Sequence, residues 1–100
     1  MNVIAVGALP AFWIKHPDVE QPLKAWYDEA KSARRVRPQD VKNHYASASF
    51  VGKNRMVFNI KGNDYRLIVA IAWRFQAVYI KFIGTHAEYD KVDAATVERP

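Results

Sequence analysis

The residues of this chain best suited to chemistry lie in two short motifs, GNDYR at 62–66 and GTHAEYD at 84–90. Arg66 is expected inside a strand, where a charged side chain is seldom placed without a reason. A guanidinium there can hold a phosphate and stabilise charge that develops on it. His86 and Tyr89 are three residues apart, so a helix would place them on one side, where they could transfer protons. These three residues are the first candidates for phosphodiester cleavage.

Further polar residues on the same strands could support this chemistry. Lys81 lies on the strand that leads into the second motif and could share the catalytic work. Asn59 is predicted opposite Arg66 and could orient the phosphate or the guanidinium. Lys61 could contact phosphates or only improve solubility, and Tyr79 could stack on a base or pack structurally. Arg66 also has a structural alternative, which is an ion pair with Asp64 or a C-terminal carboxylate.

Three segments are typical of strands because they are rich in β-branched and aromatic residues. They are 56–60 (MVFNI), 64–73 (DYRLIVAIAW) and 76–83 (QAVYIKFI). The first two are joined by KGND at 61–64, which predicts a tight turn centred on Gly62 and Asn63, because glycine and asparagine tolerate positive φ. Such a turn pairs Asn59 with Arg66.

This register assigns each side chain to one face of the sheet, because side chains alternate along a strand. One face is apolar and predicts a core: Met56, Phe58, Ile60, Tyr65, Leu67, Val69, Ile71, Val78, Ile80 and Phe82. The other face is mixed: Asn59, Lys61, Arg66, Tyr79 and Lys81 among Val57, Ile68, Ala70 and Ile83. Cations, an amide and a phenol on one sheet surface suit a polyanion.

Helical segments precede these strands. Apolar periodicity predicts a helix at 10–16, a second that begins within 18–22 and ends near 33, and a short helix or turn at 38–45. A further helix begins after Thr85, which fits a capping box with Glu88. The expected fold is α+β, with two N-terminal helices packed on one face of a small antiparallel β-sheet and the polar face left open. One domain covers 1–100, and the place of a possible strand at 2–6 stays undecided.

Positive charge is concentrated in one segment. The net charge is +5, and residues 31–55 contain a single carboxylate, Asp40, against seven cations. The cations are Lys31, Arg34, Arg35, Arg37, Lys42, Lys53 and Arg55. This clustering favours a nucleic-acid partner with Arg34, Arg35 and Arg37 as RNA contacts. A solvated helix end and loop that happen to be basic would explain the charge equally well.

Several kinds of site are not indicated. The chain has no cysteine, which excludes a disulfide framework and a thiolate metal site. No metal-ligand spacing, paired carboxylates or phosphate-cradling glycine loop occurs, so neither a metal nor a cofactor is expected. The apolar N-terminus lacks a basic leader region and is interrupted by Pro10 and Lys15. We therefore expect no signal peptide, no membrane span and, by default, a cytoplasmic location.

The motifs GNDYRL and GTHAEYD, with FWIKHPD at 12–18 and LKAWY at 23–27, resemble those of HigB-type toxins of bacterial type II toxin–antitoxin modules. These toxins belong to the RelE superfamily, and the resemblance covers nearly the whole chain. It implies a RelE-like fold and an mRNA endonuclease that cuts in the A site of the 70S ribosome. It also implies neutralisation by a HigA-type helix-turn-helix antitoxin, whose complex with the toxin binds operator DNA. Arg66, His86 and Tyr89 are the site residues that the resemblance implies.

The roles within the site stay open, because active sites of this superfamily vary. The general base could be His86, aided by Lys61 or Lys81, or it could be Glu88 if that residue does not cap a helix. The most economical nucleophile is the 2′-OH of the RNA, which needs an acid, a base and charge stabilisation but no metal. Two other functions are compatible with the pattern: a non-enzymatic toxin of the same fold that poisons a protein such as DNA gyrase, and a passive RNA-binding module.

Overall fold

The computed structural model describes residues 1–52 and 54–100, so Lys53, one of the clustered cations, lies outside the described residues. The elements are β1 (Asn2–Ile4), α1 (Ala8–Trp13), α2 (Glu20–Ser32), α3 (Pro38–His44), β2 (Ser49–Val51), β3 (Arg55–Ile60), β4 (Tyr65–Ala72), β5 (Ala77–Thr85) and α4 (His86–Tyr89). Short 3₁₀ turns occur at Pro17–Val19 and Trp73–Phe75. The α+β class is confirmed, and each predicted helix and strand has a counterpart.

The sheet has five strands in the order β1-β5-β4-β3-β2. Among β2 to β5, adjacent strands are antiparallel. Strand β1 runs parallel to β5, with Val3 opposite Val78. The prediction of a purely antiparallel sheet is therefore wrong at this edge. Parallel neighbours require a long connection, and the helices and hairpins between β1 and β5 supply it. Strand β2, which has three residues, was not predicted.

The β3–β4 hairpin has the predicted register, since Asn59 lies opposite Arg66. The turn is centred on Gly62 and Asn63 as predicted, since the N–H of Asp64 donates to the carbonyl of Lys61 at 3.2 Å. The residues with positive φ are Lys61 (52°) and Gly62 (65°), one position earlier than predicted. The alternation of side chains consequently ends at Lys61. The amine of Lys61 lies 2.8 Å from a carboxylate oxygen of Asp18, which precedes α2. The prediction that Lys61 shares a face with Arg66 is therefore wrong.

The main core joins the helices to one face of the sheet. Trp26 of α2 lies edge-on to Phe58 of β3, with ring centroids 5.7 Å apart, and Leu9 and Leu23 are at most 1% exposed. The sheet residues of this core are Met56, Phe58, Ile60, Tyr65, Leu67, Val69, Ile71, Val78, Ile80 and Ile83. Because burying one large aliphatic side chain contributes about 1.5–3 kcal/mol, this face holds the sheet and the helices together.

A β-bulge in β5 changes which residues face the main core. The pairing between β4 and β5 skips Lys81, so the register shifts at this point. One extra residue on a strand inverts the alternation of the residues that follow. Phe82 therefore lies on the opposite face and Ile83 lies in the main core, which reverses the predicted assignment of both.

The second face of the sheet is not open as predicted, because the C-terminal segment 90–100 crosses part of it. A smaller core lies there: Val57, Ile68, Phe82 and Val97. The backbone N–H of Arg99 donates to the carbonyl of Lys81 at 2.9 Å. The guanidinium of Arg55 donates to the carbonyl of Val97 at 2.7 Å. These contacts cover the part of the face next to Lys81, whose side chain stays 23% exposed.

Gly84 sets how closely β5 packs beneath α4. A Cβ at this position would lie 2.5 and 2.9 Å from ring atoms of Phe82 and 3.2 Å from Cβ of Glu88. Because Phe82 is buried, we expect Gly84→Ala to lower the free energy of unfolding by about 1–3 kcal/mol, as measured by urea unfolding. Gly7→Ala is the control, since a Cβ there meets nothing within 4 Å. Equal losses in the two variants would contradict the packing argument.

Asp18 fastens the turn between α1 and α2 to the sheet. Its carboxylate accepts hydrogen bonds from the amine of Lys61 at 2.8 Å and from the hydroxyl of Tyr65 at 2.7 Å. The bond from Lys61, followed by that from Tyr65, holds the pKa of Asp18 below its ordinary value of 3.8. The bond to Asp18 in turn raises the pKa of Tyr65 to about 12.

The lowered pKa of Asp18 predicts a loss of stability in acid. A carboxyl group whose pKa is lower in the folded state stabilises that state above its unfolded pKa, and the contribution is lost as the pH falls through the folded pKa. We expect the free energy of unfolding to fall less in Asp18→Asn than in the wild type between about pH 5 and about pH 2. Urea unfolding across this range measures the difference. Asp28→Asn, at an exposed position, should follow the wild type.

Candidate active site

Arg66, His86 and Tyr89 lie together at one end of the sheet. Arg66 is the second residue of β4 and lies opposite Gly84, two residues before α4. Nη2 of Arg66 is 3.3 Å from Nδ1 of His86, and Cζ of Arg66 is 5.6 Å from the centroid of the Tyr89 ring. The fold thus brings together the three candidate residues of the two motifs. The name Arg66 cluster is used below for these three side chains.

Among the described residues, the guanidinium of Arg66 contacts atoms of Asn63, Tyr65 and His86 and no carboxylate. Nη1 donates to the backbone carbonyl of Asn63 at 2.9 Å, and Nη2 lies 3.5 Å from the side-chain oxygen of Asn63. Within residues 1–52 and 54–100, no carboxylate lies within 4 Å of this guanidinium. The alternative of an ion pair with Asp64 or a C-terminal carboxylate is therefore wrong for the described residues, and Asp64 lies 3.9 Å from the amine of Lys61 instead. The charge of Arg66 is therefore available to an anion.

The imidazole of His86 has a partner for each state of protonation. Nδ1 lies 3.3 Å from Nη2 of Arg66 and 3.3 Å from the carbonyl oxygen of Asn63. Without a proton, Nδ1 can accept a hydrogen bond from the guanidinium. With a proton, it can donate one to the carbonyl oxygen. Nε2 lies 3.6 Å from a carboxylate oxygen of Asp90, and the side chain is 51% exposed. An accessible ring that can hold a proton on either nitrogen suits proton transfer.

A capping box fixes the start of α4. Thr85 Oγ1 accepts from the backbone N–H of Glu88 at 3.2 Å, and the carboxylate of Glu88 accepts from the backbone N–H of Thr85 at 2.8 Å, as predicted. The bond from the Thr85 backbone is the main cause of the lowered pKa of Glu88. The N–H of His86 also donates to the carbonyl of Asp64 at 3.0 Å, so the turn and α4 position the imidazole together. The carboxylate of Glu88 is occupied by this cap.

Asn63 is a residue of this site that sequence reasoning treated only as part of a turn. Its backbone carbonyl contacts both Arg66 and His86, and its side-chain oxygen accepts from the amide of Asn59 at 3.3 Å. Asn59 therefore acts on the guanidinium through Asn63. Asp90 was also missed, although its position four residues after His86 on a helical segment could have indicated the contact.

Lys81 and Tyr79 lie apart from the Arg66 cluster. The amine of Lys81 is 2.8 Å from a carboxylate oxygen of Glu98 and 5.7 Å from the centroid of the Tyr79 ring. Along β5, Lys81 precedes the residue opposite Arg66 by three positions, which corresponds to about 10 Å. The fold therefore does not bring Lys81 to the other catalytic candidates, and Glu98 compensates its charge.

The three arginines predicted to contact RNA lie at the far end of the sheet. Arg34, Arg35 and Arg37 are exposed in the connection between α2 and α3. The backbone of Val36 exchanges hydrogen bonds of 2.7 and 3.0 Å with the side chain of Gln76, beside the turn between β4 and β5. Six residues of β4 separate this turn from the Arg66 cluster, which corresponds to roughly 20 Å. The arginines and the cluster form two separate surfaces.

In residues 1–52 and 54–100, no group of three or more His, Asp or Glu side chains could hold a metal ion. No helix there is both long and apolar enough to span a membrane.

Comparisons with known proteins agree with the family resemblance of the two motifs. The family model described as HigB_toxin, a RelE-like toxic component of a toxin–antitoxin system, matches residues 19–92. The chain is similar to the mRNA interferase toxin HigB of Escherichia coli (strain K12), with 28% identity over 93 residues. The mRNA interferases HigB of Escherichia coli O157:H7 and Shigella flexneri give the same identity. Each match covers 90% of this chain and 88% of the relative. This chain belongs to the family of HigB toxins, the RelE-like toxic components of toxin–antitoxin systems.

Proposed function

We propose that this chain is an endoribonuclease that cleaves mRNA on the ribosome and so inhibits translation. The proposal depends on one observation, the guanidinium of Arg66, which adjoins His86 and Tyr89 and has no carboxylate partner among the described residues. A guanidinium in this setting binds a phosphodiester, and its neighbours can move protons. The name mRNA interferase, carried by relatives that cover 90% of the chain, supports the substrate class.

The proposed reaction uses the 2′-OH of the RNA as the nucleophile. The 2′-oxygen loses its proton and attacks the adjacent phosphorus, and the bond to the 5′-oxygen of the next nucleotide breaks. The leaving oxygen gains a proton, so the products are a 2′,3′-cyclic phosphate and a 5′-hydroxyl. Arg66 holds the phosphate and stabilises the charge that builds on it. His86 and Tyr89 together remove and supply the two protons, and no metal is required.

The remaining polar candidates have supporting roles in this proposal. Asn59 orients Arg66 through its bond with Asn63, and the exposed ring of Tyr79 offers a surface on which a base can stack. Lys61 and Lys81 are left out of the chemistry, because Asp18 and Glu98 hold their amines. The exposed Arg34, Arg35 and Arg37 are proposed to contact ribosomal RNA in a sequence-independent way.

The partners follow from the family. Membership of a toxin–antitoxin family implies an antitoxin. We propose that it is a helix-turn-helix protein of the HigA type and that operator DNA is bound only by the complex. A cytoplasmic location is proposed, since the 70S ribosome and its messages lie there. We further propose that residues 1–100 form a single RelE-like domain whose two N-terminal helices pack on one face of the sheet.

The test is to map mRNA ends after brief expression of the toxin in bacteria. Primer extension on a reporter mRNA should show new 5′ ends, and the same mRNA without its start codon should stay intact. A toxin that poisons gyrase would change DNA supercoiling and leave both messages intact. A passive RNA-binding module would bind RNA in a salt-dependent way without cleavage or growth arrest. Growth arrest with intact reporter mRNA would contradict the proposal.

A further inference from the structure

An apolar cavity of about 370 Å³ lies beside the main core, between α2, α3 and the sheet. Phe58, Val69, Ile71 and Val78 line it from the sheet, and Ala30 lines it from α2. Protein interiors are packed as densely as organic crystals. An opening of this size is at the lower end of the range for ligand pockets. Side chains from another molecule could therefore fill it.

Helix α3 covers this cavity loosely. None of its residues is fully buried, and only Val41 and the adjoining Tyr45 pack in part on the main core. A polar contact fastens it: the carboxylate of Glu29 on α2 accepts from the hydroxyl of Tyr45 and lies 2.8 Å from Nε2 of His44. Segments with few buried apolar contacts open at low cost, so the cavity is accessible from this side.

Exposed cations lie beside the cavity, and they are called its cationic wall below. Ala33 and Val36, on the segment that joins α2 to α3, line the cavity. Arg34 and Arg35 are exposed on that segment and Lys31 is exposed in the last turn of α2, next to lining residues in the sequence. None of these three cations has a carboxylate of the described chain within 4 Å. An incoming anionic group would therefore meet positive charge that is not yet compensated.

Two carboxylates also line the cavity, and both are already engaged. Glu29 is held by His44 and Tyr45. Asp40 accepts from the backbone N–H of Arg37 at 2.9 Å and lies 3.7 Å from Nε of the same residue. Because these contacts already neutralise them in part, the two carboxylates oppose an incoming anionic group less than unpaired ones would.

We propose that this cavity is a docking site for an acidic segment of the antitoxin. One or two large apolar side chains of that segment enter the cavity, and flanking carboxylates pair with Lys31, Arg34 and Arg35. Membership of a toxin–antitoxin family implies the partner. The apolar cavity and the cations beside it favour a segment that has both apolar side chains and carboxylates. Apolar anchors in a pocket with complementary charge at its rim are the usual basis of tight association. The proposal does not depend on the proposed cleavage.

Titration calorimetry with the antitoxin encoded beside this toxin tests the proposal. Ala30→Phe places a ring in the cavity, and Arg34→Glu reverses one charge on its wall. We expect each variant to bind the antitoxin at least about tenfold more weakly. Lys15→Glu makes the same change of charge at another exposed lysine without a carboxylate within 4 Å in the described chain, and it should keep the wild-type Kd within about twofold.

Four outcomes overturn the proposal. The first is an unchanged affinity for the antitoxin in both Ala30→Phe and Arg34→Glu, and the second is an equal loss of affinity in Arg34→Glu and Lys15→Glu. The third is a toxin dimer in sedimentation that Ala30→Phe abolishes. The fourth is a loss of mRNA cleavage in Arg34→Glu while its affinity for the antitoxin is unchanged. The last would leave Arg34 with only the ribosomal RNA contact that is proposed above. If Ala30→Phe does not fold, Ala30→Leu fills part of the same space, and Arg34→Glu tests the wall alone. Cleavage by free toxin is measured separately, so a failure of docking is distinguishable from a failure of the proposed function.

Discussion

Replacement of Arg66 by alanine is expected to lower the rate of mRNA cleavage by about 10²–10³-fold, the usual cost of removing one donor to a developing anion. Its guanidinium has no carboxylate partner in the described chain and lies 3.3 Å from the imidazole of His86. A lysine at position 66 keeps the charge but not the planar fork of donors, so Arg66→Lys should retain an intermediate rate. Single-turnover cleavage by ribosomes loaded with a short mRNA gives these rates.

The control for Arg66 is Arg74→Ala. Arg74 is also exposed, and it lies over the ring of Phe75 at the opposite end of β4. We expect this variant to cleave at the wild-type rate. Because Arg66 also bonds to the carbonyl of Asn63, the thermal midpoint of Arg66→Ala is measured beside its rate. A folded Arg66→Ala protein with full activity would refute the assignment.

Removal of the imidazole in His86→Ala is expected to lower the cleavage rate by about 10²–10⁴-fold, which is the range for loss of a general acid or base. The reason is that the ring is half exposed and has a donor, an acceptor and Asp90 around its two nitrogens. Single-turnover rates of the same ribosome reaction measure the effect.

His44→Ala is the control for His86. His44 is also exposed, but it bonds to Glu29 on the helical side of the molecule. We expect its cleavage rate to match that of the wild type. If His86→Ala kept the wild-type rate as well, proton transfer would have to come from Tyr89 or another group.

Local patterns in the sequence predicted the part of the fold that positions the Arg66 cluster. The apolar alternation of β3 and β4 depends only on residues close in the sequence. The prediction that Asn59 pairs with Arg66 also used only such residues. The capping box of Thr85 and Glu88 is equally local, and it places His86 at the start of α4. These three features suffice to bring two distant motifs to one end of the sheet.

Features that depend on distant residues were predicted wrongly. No local signal marks Lys81 as the bulged residue, since it alternates with its neighbours as a regular strand residue would. The C-terminal segment reaches the second face because Val97 completes an apolar cluster and Glu98 meets Lys81 and Arg55. The contact of Lys61 with Asp18 depends on a left-handed backbone at a residue that is not glycine. Each of these features is decided by tertiary contacts.

The most direct test of the central claim is a cleavage assay on ribosome-bound mRNA that carries one 2′-deoxynucleotide immediately before the scissile phosphate. The account predicts that wild-type toxin leaves this message intact and cleaves the all-ribose message to a fragment that ends in a 2′,3′-cyclic phosphate. Cleavage of the deoxy-substituted message at the all-ribose rate would contradict the account, because the nucleophile would then be water and the Arg66 cluster would have a different task.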